Sequence, residues 1–242
     1  RGAVDAVALV ADLLVVHAFE AAGAALDRAA DGVLRHVLRG RLVDGEPIAI
    51  EATPLPIPEG DKALGPLRPV AALKLSSKDV RFGGWSSLEV TPRGEVILLS
   101  DRAFVLRGRL EDKNGVVAGL TQARIGALRD YDGQPALRKR GDSEGLARLK
   151  NGLHVVSFEL EPRLQYYDFD ALGEQAPPKD APALAEIEKL ADNEQLEAVT
   201  VLPDGAILTG SERGFNGDND AVLWRAPPDA IPRRPRQAAA DG

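Results

Sequence analysis

Three glycines in this chain are each followed, seven residues later, by an acid: Gly94 by Asp101, Gly152 by Glu159 and Gly205 by Glu212. Eight residues before the same glycines stand Ser86, Glu144 and Glu197. If the three segments stack around a common axis, Asp101, Glu144, Glu159, Glu197 and Glu212 converge. Carboxylates gathered in one place repel, so they need a cation, a shared proton or arginine partners. Oxygen-only ligands suit Ca2+ or Mg2+, and with no cysteine and 3 histidines in 242 residues a softer metal is poorly served. A hard cation bridging phosphate oxygens polarises phosphorus and lowers the pKa of an attacking water.

The expected catalytic set is therefore Asp101, Glu144, Glu159, Glu197 and Glu212. Asp101, Glu144, Glu159 and Glu197 are the expected metal ligands. Arg102, Arg140 and Arg213 are the expected substrate-binding residues, because a guanidinium fork matches phosphate. No organic cofactor is expected. The alternative for each acid is structural: acids at strand ends cap loop amides or pair with a neighbouring arginine, and Asp101-Arg102 and Glu212-Arg213 fit that as well. Nucleophilic catalysis has little support. There is no Gly-x-Ser-x-Gly elbow, and Ser86 and Ser100 have no evident histidine partner. His154 reads as a packed or rim residue within a strand. Trp85, Trp224, Tyr166 and Tyr167 read as core aromatics. The Gly214–Asp220 loop resembles part of a calcium loop in its letters, lacks the following glutamate, and reads as a polar turn.

The elements that position the acids are written as an internal repeat. Its copies are SSLEVTPRGEVILLSD from Ser86, EGLARLKNGLHVVSFE from Glu144 and EAVTVLPDGAILTGSE from Glu197, aligned without a gap. Their glycines are 58 and 53 residues apart. Each copy is an apolar strand, a turn ending in glycine, and a second apolar strand ending in an acid. The Pro-Arg-Gly, Asn-Gly and Pro-Asp-Gly turns favour tight hairpins. Further strands are expected at Phe104–Leu110, Val116–Ile125, Arg163–Phe169 and Ala221–Arg225. Residues 41–80 could add a partial unit through Leu42–Glu51 and Pro69–Leu75. Four-stranded units recurring every fifty-odd residues predict an all-β fold, an incomplete β-propeller, since closure takes at least four blades.

The flanks differ in character. Residues 1–40 are rich in Ala, Val and Leu with spaced charges, which predicts a helical extension. Asp12, His17 and Glu20 interrupt its apolar run, so no membrane span is expected, and a basic n-region and cleavage site are lacking. The β domain is expected over 41–226 and a flexible tail over 227–242. Methionine is absent even at position 1, which predicts a processed chain or a fragment. A net charge of −7, from 37 acidic and 30 basic residues, favours cation binding and argues against a nucleic-acid partner.

Several motifs resemble the phytase-like, esterase-like family of β-propeller proteins, over roughly residues 52–226. Phe82-Gly83-Gly84-Trp85-Ser86-Ser87-Leu88 is similar to the segment that opens the family's domain. Ser100-Asp101-Arg102, Lys139-Arg140-Gly141-Asp142-Ser143-Glu144-Gly145-Leu146 and Ser157-Phe158-Glu159 resemble its following elements. Asn193 with Leu196-Glu197-Ala198, then Leu202-Pro203-Asp204-Gly205 and Ser211-Glu212, resembles its later repeat. Ser87 and Gln195 stand where the family has glycine. The resemblance implies a hydrolase of phosphate or carboxylic esters, with a small-molecule substrate and a periplasmic or extracellular setting. The alternative is a non-catalytic propeller that binds a ligand or partner at its channel face.

Overall fold

The computed structural model describes residues 45–57, 71–91, 93–136, 138–190, 195–215 and 220–228. The expected helical extension over 1–40, most of the tail and residues 216–219 of the polar loop lie outside them. The chain divides into two compact units, one made of Arg1–Leu98 and Phe104–Ala127, the other of Leu99–Ala103 and Leu128–Gly242.

In the first unit, β1 (Glu46–Pro47), β2 (Glu51–Pro54), β3 (Leu73–Ser76), β4 (Trp85–Val90), β5 (Glu95–Ser100), β6 (Phe104–Lys113) and β7 (Val116–Ala127) follow in order, the last two residues of β5 belonging to the second unit. Five of them form one sheet, ordered β1-β7-β6-β5-β4, and β2 pairs β3 antiparallel. The β6–β7 hairpin turns at Asn114-Gly115, both at positive φ (59° and 80°), which suits a tight turn matched to strand twist. Val96, Leu98, Phe104, Leu106, Leu120 and Ile125 make this unit's core.

The second unit carries β8 (Ser143–Arg148), β9 (His154–Phe158), β10 (Arg163–Tyr167), the helical turn α1 (Phe169–Leu172), β11 (Lys179–Asp180), β12 (Leu196–Val201), β13 (Ile207–Ser211) and β14 (Leu223–Ala226). They form two sheets, ordered β11-β10-β9-β8 and β12-β13-β14. One apolar core joins both, with Ala147, Val155, Leu164 and Tyr166 from the first sheet meeting Leu196, Ile207 and Ala226 from the second. His154 is fully buried with its ring 5.4 Å from that of Phe169, and Tyr167 stacks on Phe169 at 5.1 Å. Tyr166 and Tyr167 are core residues, whereas Trp85 and Trp224 are half-buried and pack against the cores of their units.

The all-β expectation holds, and among the described residues none of the sheets closes on itself. Of the partial unit expected in residues 41–80, parts lie outside the described residues; within them β1 extends the first repeat's sheet and β2 pairs β3 in a small sheet of two strands. The strand expected at Arg163–Phe169 stops at Tyr167 because Asp168 caps α1, its Oδ1 accepting the Ala171 N–H at 3.2 Å. The last strand begins two residues later than expected, at Leu223. The two-residue β11 is too short to show any alternation in sequence.

The repeat is visible atom by atom. In the first copy Thr91 N–H donates to Glu95 O (2.8 Å) and Gly94 N–H to Thr91 O (2.9 Å). The second repeats this with Leu149 to Leu153 (2.8 Å) and Gly152 to Leu149 (3.0 Å), the third with Leu202 to Ala206 and Gly205 to Leu202 (both 2.8 Å). Gly94, Gly152 and Gly205 sit at φ of 75°, 84° and 91°, which explains why each turn ends in glycine. Asn151 and Asp204 stiffen their turns by accepting the N–H two residues on, at 3.0 and 2.9 Å.

A candidate carboxylate site

The acids are aimed by a defect repeated in two hairpins. Between β8 and β9 the register passes from Ser143↔Phe158 to Gly145↔Ser157, leaving Glu144 without an opposite residue. Between β12 and β13 it passes from Leu196↔Ser211 to Ala198↔Gly210, leaving Glu197 likewise. Each glutamate is thus the extra residue of a β-bulge, a feature that bends the strand and redirects a side chain. One more backbone bond closes each mouth: Glu159 N–H to Asp142 O, and Glu212 N–H to Gln195 O, both 2.9 Å.

Tight packing then brings the two hairpins together. A Cβ on Gly145 would lie 2.5 Å from Ser157 Oγ, 2.8 Å from Val199 N and 2.9 Å from Val199 Cγ1, so glycine lets β12 approach β8. Gly141 is confined in the same way, a Cβ there falling 1.9 Å from Ala136 O and 2.4 Å from Ala103 Cβ. Beside it, Ser143 Oγ donates to Ser100 O at 2.9 Å, which fixes the Ser100–Ala103 turn against the start of β8. Asp101 rides on that turn.

The result is two carboxylate triads with one member in common. Asp142, Glu144 and Glu159 each offer an oxygen within 4.8 Å of the others, and so do Glu159, Glu197 and Glu212. Glu159 is the buried member, 8% exposed, while Glu197 and Glu212 face solvent. Its burial, then the charges of Glu197, Asp142 and Glu212, push its carboxyl up to about 7, against which the Gln195 backbone N–H bonded to it acts. Desolvation and the charges of Glu212 and Asp142 also raise Glu197. Asp142 is raised by desolvation, offset in part by a hydrogen bond with Glu144. Asp101 belongs to neither triad, yet it is raised as well, by desolvation and by the charge of Asp142, with Arg102 opposing.

Of the residues singled out in the sequence, Glu144, Glu159, Glu197 and Glu212 come together, and Asp101 lies within reach of Asp142's charge. The arginines are placed differently. Arg102 lies 3.9 Å from Asp101, Arg213 is exposed with its carbonyl accepting Ser211 Oγ–H at 2.6 Å, and Arg140 is held by Asp130 at 2.6 Å and Glu161 at 3.6 Å. The buried hydroxyl of Ser100 accepts the Arg102 N–H at 3.3 Å. Sequence reasoning missed Asp142. Its place in the other copies is taken by Gly84 and Gln195, so alignment of the repeats hides it, although it stands two residues before a glutamate already singled out.

An all-oxygen cluster of this kind is able to hold a divalent cation. Among the described residues no helix is long and apolar enough to cross a membrane. No curated protein matches the chain at a significant level. The sequence model of the family described as Phytase-like: Esterase-like activity of phytase matches residues 80–237, more than half of the chain and all of the carboxylate cluster, and the chain belongs to that family.

Proposed function

We propose that the carboxylate cluster holds a hard divalent cation, Ca2+ or Mg2+, and that the protein hydrolyses esters, phosphoric ahead of carboxylic. The observation that carries this reading is the sharing of Glu159 between two triads. Acids this close are mutually destabilising unless something positive or a proton sits among them. The donor set fits a hard cation, being carboxylate oxygens with no sulfur or imidazole among them. When bound, such an ion would polarise a phosphoryl or carbonyl oxygen and acidify a water.

The chain's own groups divide the remaining work. Glu144, Glu159 and Glu197 hold the ion, with Asp142 and Glu212 completing the two triads. Asp101, raised in pKa and outside both triads, is suited to take the proton of the attacking water. Arg102 and Arg213 flank the cluster next to Asp101 and Glu212 in the chain, and serve to orient an anionic ester. The same reading takes the three matching hairpins as inner strands of propeller blades, with the acids at the channel face, and export as the family resemblance implies.

One observation favours a second reading, a binding module without turnover: Arg140, expected to grip the substrate, is engaged by Asp130 and Glu161 instead. Hydrolysis of p-nitrophenyl phosphate and p-nitrophenyl acetate, with Ca2+, with Mg2+ and with EDTA, separates the two. The hydrolase reading expects cation-dependent turnover that Glu144→Gln removes. Stoichiometric cation binding by folded protein without turnover on either ester would favour the binding module.

A further inference from the structure

Beside the cluster, the second and third repeats carry different polar residues at one equivalent position, half-buried Asp142 and buried Gln195. Asp142 and Gln195 stand at equivalent places: each lies two residues before a bulged glutamate, and each carbonyl accepts the N–H of the acid that closes its hairpin, Glu159 or Glu212, at 2.9 Å. From that place Asp142 presents a carboxylate oxygen within 4.8 Å of Glu144 and Glu159. Gln195 holds the equivalent place in the third hairpin, two residues before Glu197 and with its carbonyl bonded to the Glu212 N–H.

Gln195 is 4% exposed, and its Oε1 is buried with no hydrogen-bond partner among the described residues. Its backbone is held on both sides, the N–H by the Glu159 carboxylate and the carbonyl by the Glu212 N–H. A buried amide oxygen left without a donor is costly, and native chains rarely keep one without a use for it. Glu159 and Glu212, the acids bonded to the Gln195 backbone, are acceptors when ionised, so neither satisfies this oxygen.

We propose that Gln195 Oε1 is a neutral ligand to a cation held by Glu159, Glu197 and Glu212. The inference rests on the cation reading above and adds a residue to it. Three carboxylates already supply more negative charge than a divalent ion neutralises, and a fourth would add repulsion. An amide oxygen adds coordination without charge, as Ca2+ accepts from Asn and Gln carbonyls within its six to eight oxygens.

The test is calorimetric titration of the full chain with Ca2+, paired with thermal melts in EDTA and in Ca2+. Gln195→Leu keeps the volume and removes the oxygen. It should weaken Ca2+ binding at least about ten-fold, while its melting temperature in EDTA stays level or rises because the orphaned oxygen is gone. Gln195→Glu, which restores an oxygen at the same reach, should bind Ca2+ within a few-fold of the parent. If Gln195→Leu binds Ca2+ as tightly as the parent and melts lower in EDTA, Gln195 is a packing residue and the inference is overturned. In that case Glu159→Gln still abolishes binding, and the cation reading survives. A parent protein that binds no Ca2+ or Mg2+ sinks both.

Discussion

The first and second hairpins fold alike and carry different cargo. Both turn through a glycine at positive φ with the same pair of backbone bonds, and both bury their second strand. Yet the first has Ser86 and Gly84 where the second has Glu144 and Asp142. The first is a scaffold whose polar mouth is nearly empty of acids, apart from Asp101. The second loads three carboxylates onto the same frame, and the third adds two more against the shared Glu159. Folding therefore does not call for the acids. They sit in a frame that the first hairpin builds with little of this charge, and Glu159 and Glu197 are raised by burial and by the charges of their acidic neighbours.

The largest test of this contrast is removal of the shared member. Glu159→Gln should abolish Ca2+ and Mg2+ binding, a loss of at least about a hundred-fold, because both triads lose a ligand at once. The same change should leave the hairpin folded and stabilise the cation-free protein above pH 7, since a buried charge is gone. Titration calorimetry with melts at pH 8 reads both effects. Retained binding would mean that the triads do not act through Glu159.

Next in size is the glycine that draws the two loaded hairpins together. Gly145→Val forces side-chain atoms into Ser157 Oγ and the Val199 backbone, contacts that a first Cβ already makes too close, at 2.5 and 2.8 Å. Overpacking of this kind costs about 1–3 kcal/mol. Separation of β12 from β8 should also pull Glu197 away from Glu159 and weaken cation binding. The third repeat has Ala198 and the first Ser87 at the equivalent place, so neither shares this restriction. Urea melts of Gly145→Val beside Ser87→Val measure the difference.

The sequence foretold the frame better than the cargo. Hairpin turns are local, and Asn151-Gly152 or Pro203-Asp204-Gly205 declares its geometry in two or three letters. The register of the repeat then placed Glu144, Glu159, Glu197 and Glu212 at strand ends, and they do meet. What could not be read is the bulge, because whether Glu144 faces a partner depends on pairing across the sheet. Asp142 was hidden for the same reason, its side chain mattering only once β8 and the mouth of β9 are closed by the Glu159 N–H. Arg140 was read by type as a phosphate ligand, whereas its partners Asp130 and Glu161 are set by the tertiary fold.

Acidity tests the loaded mouth against the empty one more gently. An ordinary glutamate titrates near 4.5, and Glu159 titrates near 7 in the folded chain. Between those values the folded protein holds a proton that the unfolded chain has released, so stability falls as pH rises through this window. Above about pH 7 the destabilisation is complete, at most about 3 kcal/mol for a shift of this size. Denaturation of the EDTA-treated protein at pH 5 and pH 8 should show greater stability at pH 5. Ca2+ should stabilise the protein at pH 8 far more than at pH 5, where protons already occupy the cluster. A flat profile in EDTA would mean that the acids stand further apart than their 4.8 Å triads require.

The smallest expected effect concerns Arg140. Arg140 is half exposed and paired with Asp130 and Glu161, an arrangement worth about 0–1 kcal/mol once solvent screening is counted. Arg140→Gln should therefore shift stability by no more than that and leave cation affinity unchanged, because neither of its partners belongs to a triad. Its effect on ester turnover is the informative part. If the substrate is gripped from Arg102 and Arg213, Arg140→Gln keeps KM near the parent value while Arg102→Gln raises it. A large rise in KM for Arg140→Gln would mean that the guanidinium abandons Asp130 when substrate arrives. The mouth would then recruit its positive charge on binding, from a residue that otherwise serves the scaffold.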